Sequence, residues 1–296
     1  EVITPTFTFI ATAEVVALLG LTPVLVDVDF DTFNIAIEAL KKAITPKTKA
    51  IIPVHLFGQH ADMDAIMKLA HEYNLYVIED ACQSIGATFT FADGTTAQSG
   101  CMGHIGCTSF FPSKNLGCYG DGGAIFTNDD ELAKKMRAVA NHGMEVRYYH
   151  DYVGVNSRLD SIQAAVLDVK LKYLDSYIQA RQHVAAAYDQ AFSGFKNLMI
   201  PGRNPSSTHV FHQYTLKLKD IDREALQKHL QSKGIPSMVY YPVPLHMQKA
   251  YKDERYRQGD FPIAEQLAAC VLSLPIHTEM DDEQIQYITN NLIEFL

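Results

Sequence analysis

The sequence of 296 residues has no tryptophan, few cysteines and no excess of basic side chains. Its five cysteines are Cys82, Cys101, Cys107, Cys118 and Cys270. They form no CxxC pair, and their odd number argues against a disulfide framework. Three of them lie between positions 101 and 118, but their spacing matches no zinc-binding pattern, so we expect no metal site. Free thiols are typical of a reducing compartment, and we therefore expect a cytoplasmic protein.

The chain also lacks the features of a nucleic-acid-binding or membrane protein. Its 34 acidic and 25 basic residues give a formal net charge of −9, which provides no basic footprint for a phosphate backbone. No apolar run approaches the ~20 residues of a membrane-spanning helix, and no signal-peptide pattern is visible. We therefore expect neither nucleic acid nor a membrane as a partner.

Short apolar runs alternate with helical patterns over the first 140 residues. The runs predict strands at 2–4, 23–28, 50–54, 75–78, 107–111 and 123–127. The helical patterns cover 11–19, 37–44 and 63–73, and the acids Asp129, Asp130 and Glu131 suit the start of another helix. Strands that are apolar throughout and separated by helices are typical of a mostly parallel sheet covered on both faces. The sequence thus predicts an α/β large domain, which we place at residues 1–180.

The pattern changes in the second half of the chain. Residues 141–154 are polar, aromatic and irregular, and a loop of that length is usually functional or disordered. Long helices are predicted over 160–191, and residues 201–206 resemble a linker. Beyond it we expect strands at 211–218 and 237–241 and helices at 223–233, 264–271 and 281–295. These elements predict a smaller α+β domain at residues 181–296.

Residues 108–125 combine one lysine with four glycines. The strand predicted at 107–111 ends at Pro112, and Lys114 follows at once. Glycines this dense allow tight turns and a close approach of backbone to a ligand. A lysine held there and partly desolvated has a lowered pKa, which gives the free amine that Schiff-base chemistry needs. A solvated lysine on a surface hairpin remains the alternative.

A carboxylate follows the strand predicted at 75–78. Ligand groups in α/β folds lie at the carboxyl ends of parallel strands, where Asp80 is expected. Pyridoxal phosphate needs a carboxylate against its ring nitrogen, because the protonated ring is then an electron sink. Asp80 fits that role. For Glu79, capping of the next helix remains open.

With these residues, the sequence resembles the DegT/DnrJ/EryC1/StrS family of pyridoxal-phosphate sugar aminotransferases. The resemblance extends over nearly the whole chain, in family order, at residues 5–12, 50–58, 78–84, 109–114, 156–160 and 241–246. It implies the aspartate-aminotransferase fold (fold type I) and pyridoxal 5′-phosphate as cofactor. Residues 109–123 look most like the enzymes that aminate C3 of a UDP-linked 3-keto-hexuronic acid. Those enzymes serve bacterial surface polysaccharide, including lipopolysaccharide O-antigen.

The resemblance also implies roles for individual residues around the cofactor. Lys114 would hold the cofactor, Asp80 would bind its ring nitrogen, and Phe9 would stack on its ring. Gln83 resembles the contact to the ring oxygen, and its alternative is a solvated helix residue. Ser109 resembles a phosphate contact, and its alternative is a strand serine satisfied by backbone.

Asn156 resembles a residue that reaches the phosphate from the partner subunit. It implies a homodimer with shared active sites, although Asn156 is equally typical of a turn after Gly154. Arg158 has a guanidinium suited to a substrate carboxylate or diphosphate, or it pairs with Asp160. Tyr240, Tyr241 and His246 resemble the substrate-facing loop. The closest members have a histidine at the position of Tyr240, which leaves that sugar contact open.

The resemblance implies transfer of an amine from an amino acid such as glutamate to a nucleotide-linked keto-sugar. An aminotransferase for another dTDP-, UDP- or GDP-linked keto-deoxysugar, at C3 or C4, is the alternative substrate class. A dehydratase of the same fold has histidine in place of the lysine, and Lys114 argues against it. The family's members also have an N-terminal segment with a Gly-Thr loop near the cofactor phosphate. This chain opens directly on a strand without that segment, so an inactive fragment that only binds or dimerises is a further alternative.

Overall fold

The structure, a computed structural model, describes all 296 residues. It contains thirteen strands and nine α-helices. The strands are β1 (Val2–Pro5), β2 (Pro23–Val26), β3 (Ala50–Ile51), β4 (Tyr76–Asp80), β5 (Thr88–Thr90), β6 (Thr96–Gln98), β7 (Ile105–Ser109), β8 (Gly123–Phe126), β9 (Met144–Val146), β10 (Tyr149–His150), β11 (Leu198–Met199), β12 (Tyr214–Leu218) and β13 (Val271–Leu274). The α-helices are α1 (Ala11–Leu18), α2 (Ile37–Ala43), α3 (Met63–Tyr73), α4 (Asp130–Ala140), α5 (Ser161–Leu171), α6 (Leu174–Phe192), α7 (Arg223–Ser232), α8 (Pro262–Cys270) and α9 (Asp282–Phe295). Three short 3₁₀ turns lie at Leu56–Gly58, Leu245–Met247 and Lys249–Tyr251.

Six strands form the central sheet in the order β2-β1-β3-β4-β7-β8. Every neighbouring pair is parallel except β7–β8, which is antiparallel. Helix α3 packs against this sheet through Met63, Ile66, Leu69 and Ala70, in one cluster with Ile3, Ile51 and Val77. The mostly parallel sheet predicted from the alternation of strands and helices is therefore confirmed.

Capping residues set several helix starts where the sequence predicts them. Asp129 precedes α4, and its side chain accepts a hydrogen bond from the Leu132 amide at 2.9 Å. Asp62 caps α3 through the Ala65 amide in the same way. A carboxylate in this position satisfies an amide that has no partner inside the helix.

A second sheet of three antiparallel strands, β11-β12-β13, lies in the C-terminal part of the chain. Helices α6, α7 and α9 cover it, and their apolar side chains form one core with those of β12 and β13. This is the predicted α+β architecture. The proposed boundary at residue 180 falls inside α6, so the division into residues 1–180 and 181–296 stays a prediction.

Three local predictions are wrong. Residues 141–154 contain the antiparallel hairpin β9–β10 instead of being wholly irregular. Residues 237–241 form no strand and contribute one isolated bridge, between Met238 and Ser273. Val271, predicted as the end of a helix, starts β13, because Val271–Leu274 pairs with β12 and is buried along its whole length. Tertiary pairing overrides local pattern at such short segments.

A transmembrane helix needs about 20 predominantly apolar residues to cross a lipid bilayer. No helix is long and apolar enough to span one.

Candidate active site

The carboxyl ends of three parallel strands meet at one edge of the central sheet. Residues 6–9 follow β1, Asp80 ends β4, and Ser109 ends β7. Open α/β sheets bind ligands at this edge. The candidate site is built here from side chains that are far apart in sequence.

Lys114 lies in the tight turn that follows β7. The turn is closed by hydrogen bonds from the Lys114 amide to the Phe111 carbonyl and from the Cys118 amide to the Phe110 carbonyl, both 2.8 Å. Gly117 is required in it, because a Cβ there would overlap the Pro112 and Phe111 carbonyls. Gly117 thus serves the tight turn expected of these glycines, and the close approach to a ligand stays a prediction.

The Lys114 amine has no hydrogen-bond or ion-pair partner in the protein. Its side chain is largely buried, and this burial lowers the pKa of the amine, whereas the nearby Cys82 and Asp80 oppose the shift. A lowered pKa raises the fraction of free amine at neutral pH, which is the nucleophilic form. A half-buried amine with this shift differs from the solvated surface lysine considered as the alternative, and the Schiff-base role stays a prediction.

Asp80 is held by two hydrogen bonds that leave acceptor capacity free. The Thr12 hydroxyl donates to Oδ2 at 2.6 Å, and the Cys82 amide donates to Oδ1 at 3.2 Å. A carboxylate has about four lone-pair sites, so it can still accept a proton-bearing nitrogen. Sequence reasoning missed Thr12, whose only signal was its place in the 5–12 motif.

Gln83 links the large-domain loops to Tyr241. Its Oε1 accepts from the Phe57 amide at 2.7 Å, and its Nε2 donates to the Tyr241 hydroxyl at 3.0 Å. Burial raises the pKa of Tyr241, so its hydroxyl stays protonated and its own hydrogen remains available. Gln83 is 7% exposed, which excludes the solvated helix glutamine.

Phe9 offers an open aromatic surface beside these groups. Its ring lies 6.4 Å from that of Tyr241, yet its side chain is 57% exposed. Phe7, two residues earlier, is fully buried and packs edge-on against the same tyrosine. Of the two phenylalanines, Phe9 is therefore the one with surface available for a flat ligand.

Ser109 lies at the same sheet edge, whereas Asn156 and Arg158 lie apart from this cluster. Ser109 is half-buried, and its hydroxyl accepts from the Phe111 amide at 3.2 Å. Arg158 donates to Asn141 Oδ1 at 2.8 Å instead of pairing with Asp160, and Asn156 is exposed. Asn156 and Arg158 line a groove of about 1220 Å³ between β8, α4 and residues 156–160. Lys114, Asp80 and Phe9 do not line it. The unpaired amine of Lys114 lies within electrostatic reach of Asp80, and the chemistry is proposed there.

The structure places His246 among protein groups. It is 6% exposed, and its two ring nitrogens lie 2.9 Å from Thr6 Oγ1 and 3.1 Å from Glu265 Oε1. Tyr240 is half-buried, with its ring 5.8 Å from that of Tyr241. The substrate roles given to these residues stay predictions.

Glu79 caps no helix, because a turn and then β5 follow β4. It is fully buried, and it accepts hydrogen bonds from His55 Nε2 at 2.9 Å and from three backbone amides. These amides belong to Gly100, Met102 and Gly103. His55 and the amides lower the pKa of Glu79 although burial opposes them. This buried anion fixes the turn before β7 against β4, and nothing in the sequence indicated it.

The chain is similar to known proteins along most of its length. A family model for the DegT/DnrJ/EryC1/StrS aminotransferase family matches residues 1–293. The UDP-2-acetamido-2-deoxy-3-oxo-D-glucuronate aminotransferase of Pseudomonas aeruginosa is 48% identical, over 97% of this chain and 77% of its own length. The UDP-N-acetyl-3-dehydro-α-D-glucosamine 3-aminotransferase of Acidithiobacillus ferrooxidans is also 48% identical, over 97% of this chain and 75% of its own.

Solved structures confirm the predicted fold. A DegT/DnrJ/EryC1/StrS aminotransferase from Brucella abortus superposes with a TM-score of 0.92 at 43% identity, covering 99% of this chain and 79% of its own. The protein NtdA of Bacillus subtilis, solved with bound cofactor PMP, superposes with a TM-score of 0.90 at 33% identity, covering 100% and 67%. The chain therefore belongs to the DegT/DnrJ/EryC1/StrS aminotransferase family.

Proposed function

We propose that the protein transfers an amino group from an amino acid, glutamate being the expected donor, to C3 of a UDP-linked 2-acetamido-3-keto sugar. The observation that carries this proposal is the unpartnered, desolvated amine of Lys114 beside Asp80. Two relatives at 48% identity, both named for a UDP-linked sugar with a 3-keto group, support the substrate class. The hexuronic acid form, for surface polysaccharide, is the proposed substrate, and the neutral hexosamine form is the competing one.

The residues present fit pyridoxal phosphate as the cofactor. A free amine at Lys114, a carboxylate with unused lone pairs at Asp80 and an open aromatic ring at Phe9 match its aldehyde, ring nitrogen and ring face. Ser109 would bind its phosphate, and Gln83 would exchange its bond to Tyr241 for one to the ring oxygen. When bound, the cofactor supplies the electron sink that stabilises a carbanion next to the transferred nitrogen.

The chain's own groups would then move the proton and hold the charges. Lys114 Nζ, when free, would be the base that takes the proton from the α-carbon of the donor. In the second half of the reaction it would return a proton to the sugar carbon that receives the nitrogen. Asp80, oriented by Thr12, keeps a proton on the ring nitrogen through a charge-assisted hydrogen bond. Arg158 would pair with a carboxylate or diphosphate of the sugar nucleotide.

The proposal predicts amino transfer that depends on Asp80. Full-length protein with pyridoxal phosphate, glutamate and UDP-2-acetamido-3-keto-hexuronic acid should give the 3-amino sugar and 2-oxoglutarate, measured by mass spectrometry. Asp80→Asn should slow kcat by about 10²-fold, because losing this charge-assisted bond costs roughly 2–3 kcal/mol. An amide cannot keep the ring nitrogen protonated.

Asp93→Asn, which changes an exposed carboxylate in the turn between β5 and β6, away from both the cluster and the groove of Asn156 and Arg158, is the matched control and should keep wild-type turnover. Near-wild-type turnover of Asp80→Asn would contradict the role of Asp80. Faster amination of the neutral 3-keto hexosamine than of the uronic acid would identify the hexosamine as the substrate instead of the proposed uronic acid.

The proposed functional unit is a homodimer whose sites are shared. Asn156 and Arg158 line a groove that excludes Lys114 of the same chain, which suits their serving the partner's site. Nearby apolar side chains are exposed, among them Tyr148, Tyr149, Val153, Ile162 and Val169. Aromatic residues are enriched in such interfaces.

Complementation tests the sharing of sites. Lys114→Ala and Asn156→Asp chains of full-length protein, each inactive alone, are mixed after partial unfolding and reassembled. One site of each mixed dimer then has both native residues, so a 1:1 mixture should recover roughly a quarter of wild-type activity by random pairing. No recovery from dimers proven mixed by mass, or a monomer mass in light scattering, would refute shared sites.

A further inference from the structure

His246 stands at the centre of a buried network that joins two separate segments of the site. We propose that His246 is a positioning residue, which fixes the loop carrying Tyr240 and Tyr241 against the segment carrying Phe9 without touching the substrate. The inference rests on the proposed function for its kinetic consequence only. Its structural part concerns the protein without any ligand.

The loop is tied to Thr6 by three hydrogen bonds. The Leu245 amide donates to the Thr6 carbonyl at 2.8 Å, and the His246 amide donates to Thr6 Oγ1 at 3.2 Å. The third joins Thr6 Oγ1 and His246 Nδ1 at 2.9 Å. Thr6 is fully buried and precedes Phe9 by three residues, so the loop and the aromatic surface share one anchor.

The hydrogen-bond directions define how the imidazole is used. Thr6 Oγ1 already accepts from the His246 amide, so its single hydrogen is free to donate to Nδ1. Nδ1 is then the acceptor, and Nε2 carries the hydrogen that Glu265 Oε1 accepts at 3.1 Å. The same Glu265 oxygen accepts the Gly259 amide at 2.7 Å, which fixes the carboxylate. Both ring nitrogens are occupied, and the ring packs 4.6 Å from Phe261.

Loss of this network should affect the two half-reactions unequally. Tyr241 contacts both Phe9 and Gln83, and Tyr240 adjoins it. Movement of the loop therefore displaces the side chains that face the sugar nucleotide. Lys114 and Asp80 are held by other contacts and do not depend on this network. Loss of His246 should therefore impair binding of the sugar nucleotide more than chemistry with the small amino donor.

Hydrogen–deuterium exchange of the ligand-free protein tests the structural part. In His246→Phe, the peptide containing the Leu245 and His246 amides should exchange at least about tenfold faster, because their anchor is weakened. His246→Asn keeps an acceptor near Nδ1 and should show a smaller effect. Glu265→Gln, which changes the group that accepts from His246 Nε2, should show an effect in the same direction. His71→Asn, at an exposed helix position, is the control and should leave this peptide unchanged.

Half-reaction kinetics test the consequence. The KM for the sugar nucleotide should rise about tenfold in His246→Phe and severalfold in Glu265→Gln, with the single-turnover rate of the glutamate half changed less than about twofold. Unchanged exchange in His246→Phe would overturn the proposal. A raised KM in His246→Asn with native exchange and no effect of Glu265→Gln would instead identify a direct substrate ligand and overturn it too. If the enzyme aminates no sugar, the exchange result still decides the positioning role, and the proposed function fails separately. Circular dichroism shows whether each variant is folded. If His246→Phe does not fold, Glu265→Gln provides the test instead.

Discussion

Lys114→Ala is expected to abolish amino transfer, lowering kcat by at least about 10⁴-fold, which corresponds to roughly 5 kcal/mol or more of activation free energy. Lys114 has two proposed tasks, as the attachment point of the cofactor and as the base that moves the proton. No other free amine lies in the cluster of Asp80, Gln83 and Tyr241. The variant should nevertheless fold, because the Lys114 side chain makes no hydrogen bond or ion pair that the fold would lose. Turnover of the purified variant measures the loss of activity, and its circular dichroism spectrum shows whether it is folded.

Lys172→Ala is the control for this experiment, since Lys172 is exposed and pairs only with Asp168, four residues earlier. It should retain wild-type turnover. Borohydride reduction of the loaded wild-type enzyme, followed by peptide mass spectrometry, should find the cofactor on Lys114. Attachment to any other lysine would show that the assignment is wrong.

The parts of the site that the sequence predicted are those fixed by local pattern. The strand end at Asp80 follows from an apolar run that stops at charged residues, and the turn at Lys114 follows from Pro112 and the glycines after it. A parallel sheet brings its strand ends together, so the convergence of Asp80 and Lys114 could be expected before the structure was known.

The contacts that hold these side chains could not be predicted, because they join residues far apart in sequence. Thr6 and His246 are 240 positions apart, and Gln83 and Tyr241 are 158 apart. Each residue alone has an ordinary local environment, so its partner follows only from the folded topology. The same reason explains β13, whose strand conformation depends on pairing with β12. The fold class was therefore accessible from the sequence, whereas the supporting network was not.

Three buried histidines make the stability of the fold depend on pH. Desolvation by burial, with smaller contributions from His55 and His209, lowers the pKa of His60 to about 2. Burial also lowers the pKa of His209, beside Arg203, and of His212, beside Lys114 and Arg181, well below their ordinary value. His60 Nε2 and His212 Nδ1 are buried without a partner, so a proton there would find no acceptor.

The sign of the effect follows from which state binds protons. Above pH 6.5 these histidines are neutral in both states, and their contribution to stability is complete. Below pH 6.5 the unfolded chain binds protons at these histidines, whereas the folded protein binds them only at far lower pH. The free energy of unfolding therefore decreases. Between pH 7 and 5 each histidine accounts for about 2 kcal/mol and the three together for about 6 kcal/mol. Glu79, whose pKa is lowered in the fold, contributes a loss mainly below pH 4.5, outside this window.

Urea unfolding at pH 7 and pH 5 should therefore show a loss of about 6 kcal/mol, a large part of the stability of a typical protein. His60→Asn keeps a polar partner for Ser207, which lies 2.7 Å from His60 Nδ1, but removes one titrating ring. That variant should be less stable at pH 7 and should lose about 2 kcal/mol less than wild type on acidification. His71→Asn removes an exposed histidine and should leave the pH dependence unchanged. A free energy of unfolding that differs by less than about 1 kcal/mol between pH 7 and 5 would mean that the three rings are protonated in the fold or open to solvent.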